Sequence, residues 1–168
     1  MIAITNYITY YQSPVGLLRI SGNEHTINEL IFYDVVEKEP PVPSSSLPPL
    51  LLQCVEELIE YFHGRRRRFE LPLSQEGSAF QQKVWYELMH IQYGSTISYM
   101  DLAKRLGDPK CIRAAAAANG KNQIAIIVPC HRVIGSNNDL VGYAGGRWRK
   151  KWLLEMEKRT AHGVQTLF

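Results

Sequence analysis

Between Ser98 and Gly120 the chain carries two consecutive sets of helix start and stop signals, and no other stretch restricts the fold so tightly. Ser98 can accept a backbone N–H at a helix N-terminus, and Gly107 closes that helix after Leu106. Asp108-Pro109 restarts a helix, because aspartate caps and proline is tolerated in a first turn whose N–H groups lack helical partners. This second helix runs through Arg113 and the alanines 114–118 to Asn119-Gly120. Two short helices joined by a glycine-containing turn make a helix-turn-helix.

The rest of the chain differs on either side of Glu76. From Ile2 to Tyr33, β-branched and aromatic residues broken at Ser13-Pro14-Val15-Gly16 and at Ser21-Gly22-Asn23 predict a three-stranded meander. A proline-rich loop, Glu39 to Pro49, leads into a helix from Leu50 to Phe62, whose stripe is Leu51, Cys54, Val55, Leu58, Ile59 and Phe62. Phe69 to Leu73 is expected as one more short strand. After Glu76, Ser78 caps a helix with the stripe Phe80, Val84, Leu88 and Ile91, ending near Gly94. Ile124 to Val128 is expected to be buried and extended, Gly142 to Gly146 a loop, and Arg147 to Lys158 a last helix with Trp148, Trp152 and Met156 inward. The predicted domains are therefore 1–76 and 77–168, in an α+β protein.

Charge follows the same division. Up to Glu76 there are 6 basic and 10 acidic residues, and after it 13 basic and 6 acidic, so a total of +3 conceals a basic second half. Nucleic acid or an anionic membrane would meet that half. No apolar run approaches the roughly 20 residues a bilayer requires, and Met1 to Tyr10 lacks a basic region followed by an apolar stretch. The expectation is a cytoplasmic protein. The cysteines, Cys54, Cys111 and Cys130, form no Cys-x-x-Cys pair, which argues against a disulfide framework and a cysteine-based zinc site.

Pro129-Cys130-His131-Arg132-Val133 is the segment with chemistry. A thiolate is the reactive form of cysteine, and a nearby basic imidazole favours it. Adjacency alone is weak, since neighbouring side chains in an extended segment point apart and contact needs a turn or a bridging water. The wider pattern adds Asn122 upstream, Gly142-Tyr143-Ala144-Gly145-Gly146 downstream, Ile97-Ser98-Tyr99, Leu102-Ala103, Arg113-Ala114, Ala118-Asn119-Gly120 and Trp152-Leu153-Leu154. From about Phe80 through Glu157 the chain resembles the O6-alkylguanine-DNA alkyltransferases, most closely the bacterial single-function type.

That resemblance implies a ribonuclease-H-like N-terminal domain, here a small sheet plus helix with a supporting role, and a C-terminal winged-helix/helix-turn-helix domain that binds DNA and accepts the alkyl group. Cys130 would attack the alkyl carbon on guanine O6, with His131 as water-bridged base and Glu157 as the carboxylate orienting it. Tyr99 would act as general acid toward guanine N3, and Asn122 would support the active-site segment. Val133, Tyr143, Ala144 and Gly145 would form the pocket for the base. Arg113 would enter the duplex as the base is flipped out through the minor groove, with Ala114, Ala117 and Ala118 against the DNA. The implied activity is direct, stoichiometric and irreversible repair of O6-alkylguanine, and also O4-alkylthymine, in double-stranded DNA. It needs no cofactor, metal, membrane or protein partner, and a monomer suffices.

Ala115, Ala116 and Ile112 depart from the family's usual residues, which leaves the fit of the helix to the groove open. Arg65 to Arg68 are read as a solvated corner or as partners of Glu56, Glu57 and Glu60. Cys54 and Cys111 are read as inert. Lys104, Lys110, Lys121, Arg147, Arg149 and Lys150 are candidate phosphate contacts. Two rival readings remain at this point, a lesion-binding protein without transfer and a helix-turn-helix regulator with an incidental cysteine; a cysteine hydrolase is a more remote third.

Overall fold

Strands β1 (Tyr7–Ser13), β2 (Gly16–Gly22) and β3 (Ile27–Phe32) form an antiparallel meander in the order β1-β2-β3. The structure, a computed structural model, describes residues 3–34 and 42–163; Ile2 and residues 39–41 of the proline-rich loop lie outside them. The chain divides into two units, Met1–Gln75 and Glu76–Phe168. In the first, helix α1 (Pro49–Phe62) packs on the meander and buries Leu51, Cys54, Leu58 and Tyr61 completely, together with Leu18, Ile20, Ile27 and Leu30 of the sheet. Removing each such aliphatic side chain from water contributes roughly 1.5–3 kcal/mol. Burial pushes the Cys54 thiol to about 12, with the Glu57 charge adding to the shift, so this cysteine is inert at neutral pH.

The fourth strand expected at Phe69 to Leu73 reduces to a single parallel bridge between Ile27 and Leu73. Pro72 has no N–H to continue a ladder, and only its carbonyl is used, by Ile27 N at 2.9 Å. Of the four arginines, Arg66 meets Glu57 and Glu60, each at 3.5 Å.

In the second unit α2 (Ala79–Leu88) begins with a capping box between Ser78 and Gln81 and buries Val84, Trp85 and Leu88. The helix stops at Leu88, and turns carry the chain to Gly94, whose φ of +79° suits glycine. Strand β4 (Ile97–Ser98) leads into α3 (Tyr99–Arg105), where Ser98 and Asp101 form a second capping box. Pro109–Cys111 is one 3₁₀ turn capped by Asp108, and α4 (Ile112–Gly120) completes the helix-turn-helix. Trp85 Nε1 donates to the Ala118 carbonyl at 2.9 Å and ties the end of α4 to α2.

Ile124 to Val128 is buried as expected but not extended. It doubles back through a turn in which Ile126 has φ +71° and Val128 N donates to the Ile124 carbonyl at 3.0 Å. A β-branched residue in this conformation is strained and persists because its surroundings dictate it. A 3₁₀ turn, Cys130–Arg132, follows and runs into β5 (Val133–Ile134), which pairs in parallel with β4. Helix α5 (Arg147–His162) closes the unit. Trp148, expected inward, is 56% exposed, while Arg149, Lys150, Leu153, Met156 and Glu157 occupy the buried face. Among the described residues no helix is long and apolar enough to cross a membrane, and no group of three or more His, Cys, Asp or Glu side chains could hold a metal ion.

Candidate active site

The parallel pairing of Ile97 with Val133 and Ser98 with Ile134 sets the start of α3 beside the segment that carries Cys130. Asn122 shapes the approach to that cysteine. Its Nδ2 donates to the carbonyls of Val128 (2.9 Å) and Ile124 (3.2 Å), and its Oδ1 accepts from Ile124 N (3.1 Å). These bonds hold the strained turn and deliver Cys130 at the head of its 3₁₀ turn, 7% exposed. Burial pushes the thiol above its ordinary value, opposed by a hydrogen bond from Asn122 and by the Lys150 charge. Cys130 therefore rests as a thiol at neutral pH.

His131 and Glu157 are buried completely, with His131 Nε2 2.8 Å from Glu157 Oε2. Burial alone would favour a neutral Glu157, but His131 and Arg132 together hold its carboxyl well below the usual range. An ionised carboxylate only accepts, so Nε2 carries the proton and Nδ1 keeps a bare lone pair. That Nδ1 is buried with no partner among the described residues. Burial lowers the imidazole below its ordinary value despite Glu157, so His131 is neutral at neutral pH and able to take a proton.

Arg132 was not anticipated as part of this array. Its Nε donates to Glu157 Oε1 (2.8 Å), a terminal nitrogen donates to Oε2 (3.1 Å), and the other terminal nitrogen donates to the Ile91 carbonyl (2.8 Å). Lys150 is a correction: the expected phosphate contact is fully buried and donates from Nζ to the carbonyls of Val133 (2.7 Å) and Val141 (3.0 Å). Burial lowers its ammonium to about 8. Arg149 is likewise buried and donates to the Gly145 carbonyl at 3.2 Å. The signal for Lys150 lay in α5, where Lys150, Leu153 and Glu157 recur at helical spacing and put the lysine on the same stripe as the expected carboxylate.

An open cleft of about 640 Å³ is lined by Tyr99, Ile112, Arg113, Ala116, Asn119 and Gly120 on one side and by 141–144 on the other. Tyr143 and Ala144 are thus placed on the cleft, while Val133 and Gly145 are buried and do not line it, their carbonyls taken by Lys150 and Arg149. Burial, then the Cys130 charge, raises the Tyr99 phenol. Burial raises the Tyr143 phenol much further. On α4, Arg113, Ala114 and Ala117 are exposed. Ala118, expected with them against DNA, is 3% exposed, and its carbonyl takes the Trp85 indole N–H. Ala115, which departs from the family's usual residue, is fully buried and cannot meet a groove, whereas Ala116, the other alanine that departs, lines the cleft.

The class so defined is a helix-turn-helix protein with a buried cysteine next in the chain to a buried His-Glu-Arg array. Comparison with known proteins narrows it. Residues 6–75 match the model of the 6-O-methylguanine DNA methyltransferase ribonuclease-like domain, and residues 79–159 that of the DNA binding domain. The constitutive methylated-DNA–protein-cysteine methyltransferase of Bacillus subtilis is 44% identical over 158 residues, covering 91% of this chain and 96% of the relative. The crystal structure of Mycobacterium tuberculosis O6-methylguanine methyltransferase is 38% identical with a TM-score of 0.82, covering 93% of this chain and 94% of that one. A structure of Mycobacterium tuberculosis OGT in complex with DNA is 40% identical with a TM-score of 0.80, covering 90% and 92%. The chain belongs to the 6-O-methylguanine DNA methyltransferase family.

Proposed function

We propose that this chain repairs alkylated DNA directly, as a methylated-DNA–protein-cysteine methyltransferase that moves the alkyl group of O6-alkylguanine onto Cys130. The observation that carries the reading is the buried Glu157–His131 pair, with His131 next in the chain to Cys130, whose carbonyl takes a hydrogen bond from Asn119 of the cleft that Tyr99 and Arg113 also line. The Sγ–C bond forms as the C–O6 bond breaks. The thiol proton passes to His131 Nδ1, and guanine N3 takes a proton from the Tyr99 phenol, so the base leaves neutral. Asn122 supports the turn that presents the nucleophile, while Tyr143, Ala144 and the backbone at Val133 and Gly145 shape the pocket for the base.

Reaching a base in a duplex requires flipping it out, here through the minor groove, with Arg113 filling the gap and Ala114 and Ala117 against the DNA. O4-alkylthymine is a second substrate by the same displacement. The thioether is stable, so each molecule, a cytoplasmic monomer, acts once; the methyl donor is the DNA. Residues 1–76 serve as support, and residues 77–168 bind DNA and accept the alkyl group. Cys130→Ser tests the division of labour: it should bind an O6-methylguanine duplex with undiminished affinity and leave the lesion intact. Repair by this variant would sink the reading.

A further inference from the structure

The cleft contains one buried polar group that the reaction as written leaves unexplained. Asn119 near the end of α4 lines the cleft with Tyr99 and is 6% exposed. Its Nδ2 donates to the Cys130 carbonyl at 3.4 Å, while its Oδ1 is buried with no hydrogen-bond partner among the described residues. A buried acceptor without a partner costs free energy, and a leucine of similar size would avoid that cost. The amide therefore has to be accounted for by its donors. Nδ2 carries two N–H groups, and the Cys130 carbonyl uses one. Hydrogen bonding from Asn119 also opposes the rise that burial, then the Cys130 charge, imposes on the Tyr99 phenol.

We propose that Asn119 is the positioning residue of the general acid: its amide spans from the carbonyl of the nucleophile to the oxygen of Tyr99, fixing the phenol and stabilising the phenolate it becomes. The inference rests on the transfer reading above. As the Sγ–C bond forms and C–O6 breaks, the electron pair withdrawn into the guanine ring collects the phenol proton at N3. The phenolate keeps the second N–H of Asn119, and it and the imidazolium are later neutralised by proton exchange with solvent. Because Arg113 lies on the same helix, the seating of α4 on DNA and the setting of the phenol become movements of one rigid element.

Leaving groups separate this role from mere support. Asn119→Leu, Tyr99→Phe and the double variant are compared in two reactions of Cys130. One is transfer from an O6-methylguanine oligonucleotide, whose leaving group needs a proton; the other is alkylation by iodoacetamide, whose iodide needs none. Asn119→Leu should slow transfer about tenfold, the weight of one hydrogen bond in the transition state. It should leave iodoacetamide alkylation unchanged and add nothing to Tyr99→Phe. Asn119→Asp, which sets a carboxylate against the phenolate, should transfer more slowly than Asn119→Leu and serves alone if the leucine variant does not fold. Equal slowing of both reactions, additive slowing with Tyr99→Phe, or undiminished transfer by the folded variants overturns the role. A wild-type protein that transfers nothing fails the underlying reading instead.

Discussion

Glu157 answers to two partners, the imidazole it was expected to orient and the Arg132 fork that grips both of its oxygens. Glu157→Gln therefore has two separable effects. It leaves a buried guanidinium without its counter-charge, which should cost on the order of 3–5 kcal/mol in denaturant unfolding. It also weakens His131 as a base, and transfer should slow roughly 10²–10⁴-fold; a variant with wild-type stability and rate would contradict both assignments. Cys130, His131 and Glu157 were legible in the sequence because their spacing matches a family pattern. Arg132, Lys150 and Asn119 were not: Lys150, a basic residue in a basic half, reads as a surface charge until packing reveals what it holds, and Arg132 and Asn119 carry no sequence signal for the groups they bind. Lys150 makes the point most clearly, as its buried ammonium serves the backbone carbonyls of Val133 in β5 and of Val141.

At the scale of elements, capped helices were the most readable part. Ser78 and Ser98 carry their signals locally, and α2 and α3 begin where those signals fall, while Asp108 caps a 3₁₀ turn that precedes α4. The β-branched run from Ile124 to Val128 favours a strand, yet it forms a turn. Its left-handed Ile126 exists through bonds from Asn122 that periodicity cannot reveal. Hydrophobicity alone would turn Trp148 inward, but the buried face of α5 includes cations, Arg149 and Lys150, that satisfy backbone carbonyls. The exposed face of α4, with Arg113, Ala114 and Ala117, carries the proposed entry into DNA. Arg113→Ala should slow repair of a duplex at least tenfold more than attack on free O6-benzylguanine, since only the duplex needs a flipped base held out. Equal slowing in the two assays would refute the role.

The whole molecule joins two units of opposite charge, and both pH and salt should report it. Glu157 has a folded pKa below its ordinary 4.5, so the stability it contributes is complete above that value and is lost as pH falls below it. Burial lowers His131 below 6.5, so protonation opposes folding as pH drops beneath that value too. Thermal unfolding should show stability falling below about pH 6.5 and more steeply below about 4.5; a flat profile between pH 7 and 4 would contradict the buried array. For DNA binding, the exposed Lys104, Lys110, Lys121 and Arg147 offer up to four phosphate contacts. The logarithm of affinity should then fall with the logarithm of salt with a slope of about −3 to −4, and a slope near zero would remove them from the interface. The central claim is the transfer itself, and mass analysis of the protein after incubation with an O6-methylguanine duplex tests it most directly. The account predicts one added CH2 per molecule, located on the peptide that contains Cys130, with guanine restored in the DNA; an unmodified protein, or a methyl group on any other residue, would contradict it.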